Sequence, residues 1–115
     1  MAKQLSLTVW ERVQLQQIIP PRAPIAKLNT YMRLVETLEL TPEEKVQVGW
    51  KVAPQTGAVT ITDQTTRFPI SIEDGDFEEL FNLAKSAKDW PVSRANTPNM
   101  LRQLQDVAGQ SLGYL

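Results

Sequence analysis

The stretch LTVWERVQLQQIIPP, Leu7–Pro21, combines a helix start, an apolar helix and a rigid stop. Thr8 and Glu11 stand three residues apart, which is the spacing of a capping box at the start of a helix. The apolar spacing that follows predicts a helix over about Val9–Ile18. Pro20-Pro21 ends it, because proline lacks a backbone N–H and disfavours helical backbone in the residue before it.

The first predicted helix is apolar on more than one side. Helices of that kind are either deeply buried or pressed against another chain. Deep burial on every side is hard to arrange near the start of a 115-residue chain, and tryptophan is enriched at interfaces, so we expect a protein contact here. The predicted contact surface consists of Trp10, Gln14, Leu15 and Ile19, followed by the region of Trp50.

The second helix has the clearest periodicity in the chain and is predicted to run from Pro24 to about Glu39. Apolar residues recur there at spacings of three and four, which marks a predicted core face of Ile25, Leu28, Met32, Val35 and Leu38. Tyr31 and Leu34 broaden this face. The opposite, solvated side is predicted to carry Lys27, Asn29, Arg33 and Glu36.

Three further helices are marked by their ends. Capping-box spacing recurs at two starts: Thr41 with Glu44, and Asp76 with Glu79. The last of the three helices starts at Thr97-Pro98. Stop signals follow at Gly49, near Trp90-Pro91, and at Gly109.

Between the third and fourth helices the apolar period changes to two, which is typical of strands. The alternating segments are Trp50–Val52, Val59–Ile61 and Phe68–Ile72, and Pro69 makes the last an edge strand because it cannot donate to a ladder. They predict a small antiparallel meander of two or three strands.

Helices and strands are segregated along the chain, so the predicted fold class is α+β. About five helices, three before and two after, surround the meander in a single domain over residues 1–115. Residues 1–6 and 110–115 are expected to be loose ends.

Composition excludes several kinds of chemistry. The chain has no cysteine and no histidine, so thiolate and histidine catalysis are absent and the commonest metal ligand is missing. Paired carboxylates occur at Glu43-Glu44, Asp74/Asp76 and Glu78-Glu79, but each pair lies at a predicted helix start, where acids are favoured. We therefore predict no enzyme, no catalytic residue, no cofactor and no metal.

Charge and hydropathy limit the kinds of partner that the protein can have. The net charge is -1 and the basic residues are scattered, so we expect no nucleic-acid partner. No apolar run reaches the roughly 20 residues of a spanning helix, and no secretory signal is present, so a cytoplasmic protein without a membrane partner is expected. Three helices before a hairpin leave a winged-helix DNA-binding regulator as the alternative.

Three stretches, LTVWERVQLQQIIP, KLNTYMRLVETLELTPEE and VGWKV, resemble a family of small phage- and prophage-encoded proteins. Those proteins open with a Leu-Thr-Val-x-Glu-Arg helix that ends in proline, followed by a long helix, a Ser/Thr-x-Glu-Glu turn, short strands and two helices. The resemblance covers the first half well and the second half in element order. The family has no established activity, so the resemblance implies a viral or prophage origin and assigns no site residue.

The combined interpretation is a non-enzymatic, phage-type accessory protein that works by protein–protein contact. It would be a virion or assembly component, or a modulator directed at one host protein in the bacterial cytoplasm. Its partner would be a host or viral protein, a second copy of the chain, or both.

Overall fold

The computed structural model describes residues 2–87, 89–92, 94 and 96–114, which form five helices and four strands. In chain order these are β1 (Ala2–Leu7), α1 (Val9–Gln17), α2 (Ile25–Leu38), α3 (Pro42–Val48), β2 (Lys51–Val52), β3 (Val59–Thr60), β4 (Phe68–Glu73), α4 (Asp74–Ser86) and α5 (Thr97–Ala108). The predicted α+β class, with three helices before the central strands and two after them, is confirmed.

Residues 2–7 form strand β1, so the expectation of a loose segment over 1–6 is wrong. β1 pairs antiparallel with β4, with Leu5 opposite Ile70 and Leu7 opposite Phe68, and all four side chains are buried. The segment AKQLSL carries a weak strand signal by itself. It becomes a strand because β4, far along the chain, offers a ladder and an apolar face.

Pro69 lies opposite Ser6 in this sheet. The backbone N–H of Ser6 donates to Oε1 of Gln103 at 2.8 Å, and the Ser6 carbonyl accepts from Nε2 of Gln103. Ser6 therefore turns its backbone groups away from Pro69, whose missing N–H removes no ladder bond at this position. Gln103 on α5 satisfies the outer edge of β1.

The predicted meander is wrong in its pairing. β2 pairs with β3 in a second two-stranded sheet, while β4 pairs with β1. Between β3 and β4, a carboxylate oxygen of Asp63 accepts hydrogen bonds from the backbone N–H groups of Thr65 and Thr66, both at 3.0 Å. This aspartate-centred turn separates β4 from the short hairpin.

The main core lies between the β1–β4 sheet and helices α1, α2, α4 and α5. Helix α4 turns Phe77, Leu80, Phe81 and Ala84 into this core, and α5 contributes Leu101 and Leu104. The buried residues of the main core are Leu5, Leu7, Leu15, Ile19, Leu34, Leu38, Ile70, Ile72, Phe77, Leu80, Phe81, Ala84, Met100, Leu101 and Leu104.

A smaller apolar cluster holds the short hairpin against α1 and α3. Its buried members are Val9, Val48, Ile61 and Phe68. Trp10 and Trp50, both partly buried, pack on its edge together with Leu40. Two of the three tryptophans therefore close the margin of a small core.

Helix α2 turns a different face to the main core from the one its periodicity predicts. Leu34 and Leu38 are buried and Tyr31 is partly buried. The other members of the predicted core face are exposed: Ile25, Leu28, Met32 and Val35. Relative to the prediction, the helix is rotated by roughly a quarter turn about its axis, at 100° per residue.

The capping boxes of α1 and α3 are confirmed, with Thr8 and Thr41 accepting from the backbone N–H groups of Glu11 and Glu44. The predicted pair at the fourth helix is wrong. α4 begins at Asp74, its cap residue is Glu73, and no side chain caps it.

The predicted stop is wrong for α4 and confirmed for α5. α4 ends at Ser86, before the predicted stop near Trp90. α5 ends at Ala108 and is capped by Gly109, as predicted, in a left-handed conformation with φ of 66°. The tail after it is not loose throughout, because the Gln105 side chain accepts from the backbone N–H groups of Leu112 and Tyr114.

The rotated setting of α2 predicts unequal effects for two leucines of the same helix. Leu34→Ala should lower the free energy of unfolding by about 2–5 kcal/mol, because Leu34 is fully buried. Leu28→Ala, the matched control, should lower it by less than about 1 kcal/mol, since that side chain is 41% exposed. Urea unfolding of both variants measures the difference, and a larger loss for Leu28→Ala would contradict this orientation of α2.

Candidate functional site

Four large apolar side chains lie side by side on the solvent side of α2. We call Ile25, Leu28, Met32 and Val35 the open face of α2; their exposed fractions are 91%, 41%, 48% and 40%. Single exposed apolar residues are ordinary, but a contiguous set marks a surface for a partner. This set follows the three-and-four spacing that usually faces a core.

Two ion pairs link α2 to α4. Nζ of Lys27 lies 2.8 Å from a carboxylate oxygen of Glu79. The Arg33 guanidinium binds both oxygens of Asp76, at 3.0 and 2.8 Å. The hydrogen bond to Glu79 raises the pKa of Lys27, and the one to Asp76 raises the pKa of Arg33. Both cations thus stay charged. They remain about half exposed, at 46% and 55%, so the predicted solvated side of α2 is confirmed, and it contacts α4 through these ion pairs.

A groove runs beside the open face of α2. Residues 19–23 form one wall, and α2 forms the other with Leu28, Tyr31, Met32, Val35 and Glu36. Its volume is about 370 Å³. Pro20-Pro21 makes the first wall rigid, because both backbone φ angles are fixed by the rings. A docking side chain would therefore enter a preformed hollow.

The residues predicted to form a contact surface on the first helix differ in their exposure. Leu15 is fully buried in the main core and offers no surface to a partner, so that part of the prediction is wrong, whereas Ile19 is 7% exposed and also lines the groove beside α2. Burial of the first helix is possible because α2 packs against it. Trp10, Gln14 and Trp50 are partly buried, and a contact through them stays a prediction.

The open face of α2 is the surface that the sequence analysis did not identify. Its residues carry the periodicity of a core stripe, and nothing local distinguishes a stripe that faces the core from one that faces solvent. The positive charges of Lys27 and Arg33 on α2 and the negative charges on α4 are the sequence signal that could have indicated how α2 is oriented.

At least three of the six carboxylates singled out in the sequence are engaged in ion pairs. Asp76 and Glu79 bind α2, and Glu44 binds Arg12 at 2.9 Å. In the described part of the chain, no group of three or more carboxylate, thiol or imidazole residues is placed to hold a metal ion. These three paired carboxylates therefore have structural contacts between helices.

Arg12 is the most heavily bonded buried cation among the described residues. Its guanidinium donates to the backbone carbonyls of Leu38 and Glu39 and to the carboxylate of Glu44, at 3.0, 2.6 and 2.9 Å. Its side chain is 3% exposed. Because burial of an unpaired charge is strongly unfavourable, these bonds fix the end of α2 and the start of α3 on α1.

Glu11, next to Arg12, is fully buried. One of its carboxylate oxygens accepts from the Thr8 backbone N–H at 2.9 Å and from the Arg67 guanidinium at 2.8 Å. Arg67 also donates to the carbonyl of Ser6. These bonds join α1 to both strands of the β1–β4 sheet and account for the burial of the carboxylate.

No protein-family model, curated protein or solved structure gives a significant match to this chain. In the described residues no helix has the length and apolar composition needed to cross a bilayer.

The Arg12–Glu44 pair predicts a loss of stability in acid. Burial by itself raises the pKa of Glu44, but the bond from the Thr41 backbone N–H and the Arg12 guanidinium outweigh burial and hold that pKa below the ordinary 4.5. A carboxylate whose pKa is lower in the folded than in the unfolded state stabilises the fold at pH values above its unfolded-state pKa. This stabilisation is lost as the pH falls through the folded-state pKa. Glu44→Gln should therefore lower the free energy of unfolding by about 1–2 kcal/mol at pH 7. The difference in free energy of unfolding between the variant and wild type should become smaller below about pH 4.5.

Glu43→Gln is the matched control, since it removes the same charge from the same exposed turn without touching Arg12. Denaturant unfolding across this pH range measures both variants. Equal losses for the two at pH 7, or a gap that does not narrow in acid, would contradict the role given to the ion pair.

Proposed function

We propose that this protein is a non-enzymatic accessory protein that acts by binding another protein, and that the open face of α2 is its main contact surface. One observation carries the proposal: four large apolar side chains are exposed together on a helix that buries Leu34 and Leu38 on its other side and is linked to α4 by two ion pairs. A rigid apolar face beside a preformed groove needs little ordering on binding.

The setting we propose is phage-type. The resemblance of the N-terminal half to small phage- and prophage-encoded proteins supports it. Two roles fit a small binding protein of that origin: a virion or assembly component, and a modulator of one host protein in the bacterial cytoplasm. The absence of cysteine and histidine, together with the ion-paired carboxylates, favours a role without catalysis.

A second contact region, formed by Trp10 of the first helix and Trp50 after the third helix, remains part of the proposal. Trp10 and Trp50 each expose part of an aromatic ring system at the margin of the smaller cluster. The Lys45 ammonium lies 5.3 Å from the Trp50 ring centre, so one side of that indole is covered by a cation. Interface tryptophans are typically half-buried in this way, with a wet edge left for a partner.

A pair of charge insertions tests the main surface. Leu28→Asp combined with Met32→Asp should weaken partner binding at least tenfold, because the complex would bury two unpaired carboxylates. Val46→Asp is the control, as Val46 is 82% exposed on α3, outside the open face of α2. Tagged wild type and both variants are used to capture proteins from lysate of the source cells, with circular dichroism to verify folding.

The expected result is one set of proteins retained by wild type and Val46→Asp and lost by the double variant. Viral structural proteins in that set would support the assembly role, and a stoichiometric host protein would support the modulator role. Capture of the same proteins in equal amounts by wild type and both variants would contradict the proposal that the open face of α2 is the contact surface.

Winged-helix DNA binding is the alternative function, and the element order favours it. α1, α2 and α3 precede the β2–β3 hairpin, as in that architecture. The charges oppose it, because Glu43 and Glu44 occupy the first turn of α3, where DNA phosphates would lie. Arg67, which follows the hairpin in the chain, is bound to Glu11 and so is not available to a phosphate.

We therefore expect no binding to duplex DNA even at low salt, since neutralisation of phosphates by lysine and arginine supplies most non-specific affinity. Fluorescence anisotropy of a labelled duplex between about 50 and 200 mM salt measures this. Binding that falls steeply as salt increases would support the alternative.

A further inference from the structure

We infer that the occupant of the open face of α2 is a second copy of this chain, paired antiparallel about a two-fold axis. This inference rests on the proposed function for the choice of surface. It adds the identity of the partner and the direction in which its helix runs.

The spacing of the open face is the first argument. Ile25, Leu28, Met32 and Val35 are separated by three, four and three residues, so the pattern is the same when read in either direction. An antiparallel copy aligned on the middle of the helix sets Ile25 against Val35 and Leu28 against Met32. A two-fold interface must be complementary to itself, and this face meets that condition.

The same spacing is that of the apolar seam in paired helices. Positions three and four apart place side chains in one stripe, where each can insert between side chains of a facing helix. The solvent-exposed stripe of α2 is therefore already shaped for a second helix of the same kind.

Charge complementarity is the second argument. Two charged residues line the groove: Arg22, which precedes α2, and Glu36, which lies in its last turns. Antiparallel pairing brings Arg22 of each copy towards Glu36 of the other, on both sides of the axis. Parallel pairing would instead set arginine against arginine and glutamate against glutamate, which is unfavourable.

The size of the surface determines the strength of the dimer. A 14-residue helix is about 21 Å long, so one helix pair buries less than the about 800 Å² per partner of a standard interface. The groove wall at Pro20-Pro21 adds area on each side. We therefore expect reversible association that depends on concentration in the micromolar range or above.

Sedimentation equilibrium of the full chain over a wide concentration range tests the inference. Wild type should shift from monomer to dimer. Arg22→Glu and Glu36→Arg should each weaken the dimer roughly tenfold, because each reverses one charge at two symmetric contacts. The combined variant should restore the wild-type dissociation constant. Both residues are exposed, so the changes leave the core intact.

Disulfide cross-linking between introduced cysteines tests whether the two α2 helices run antiparallel. The chain has no cysteine, so Ile25→Cys and Val35→Cys each introduce a single thiol at an exposed site. A disulfide needs Cβ atoms about 3.5–4.5 Å apart. When the two variants are mixed under mild oxidation, antiparallel pairing predicts mixed disulfides in excess of either homodimer. Each variant alone should cross-link slowly.

The outcomes separate this inference from the proposed function. Excess homodimer disulfides, or single charge reversals without effect, would overturn antiparallel pairing. A wild type that stays monomeric throughout would overturn the second copy as occupant. In that case, selective loss of a captured protein by the Leu28→Asp, Met32→Asp variant would still support the proposed function, with a different partner.

Discussion

The fold depends on two adjacent charged residues, Glu11 and Arg12, that are both buried on the same helix. Neighbouring helix positions differ by about 100°, so the two side chains leave α1 in different directions. Glu11 reaches the β1–β4 sheet through Arg67, and Arg12 reaches the end of α2 and the start of α3. One short helix therefore fixes the relative positions of the sheet and of two other helices.

These buried charges are tolerated because their bonding is complete. Burial of an ion is strongly unfavourable, and the cost is offset only when hydrogen bonds satisfy the remaining donors and acceptors. Across the described residues, no buried side-chain nitrogen or oxygen lacks a hydrogen-bond partner. The backbone carbonyls at the end of α2, which an α-helix leaves unpaired, are the acceptors for Arg12.

The setting of α2 links this framework to function. Arg12 holds its C-terminal end, while Lys27 and Arg33 tie its polar side to α4. With both restraints in place, Leu34 and Leu38 enter the main core and the broader apolar stripe is left outside. An apolar face held in this position is a stable feature of the fold, and this is why the proposed partner contact is placed there.

The sequence by itself determined the local features of this protein. The capping boxes at Thr8 and Thr41, the stops at Gly49 and Gly109, and the apolar stripes of α4 and α5 were predictable because each depends on residues within one or two turns. The α+β class followed from the change in apolar period. Exclusion of histidine and cysteine chemistry followed from composition.

Only the tertiary structure decided which elements meet. β1 is a strand because a distant β4 completes its ladder, and Leu15 and Ile19 are core residues because α2 packs against the first helix. The candidate site is the sharpest case: periodicity identifies the stripe on α2 but not the direction it faces. That direction is set by burial of Leu34 and Leu38 in the main core, with ion pairs to the distant α4 adding to it, and no local pattern encodes contacts between segments so widely separated.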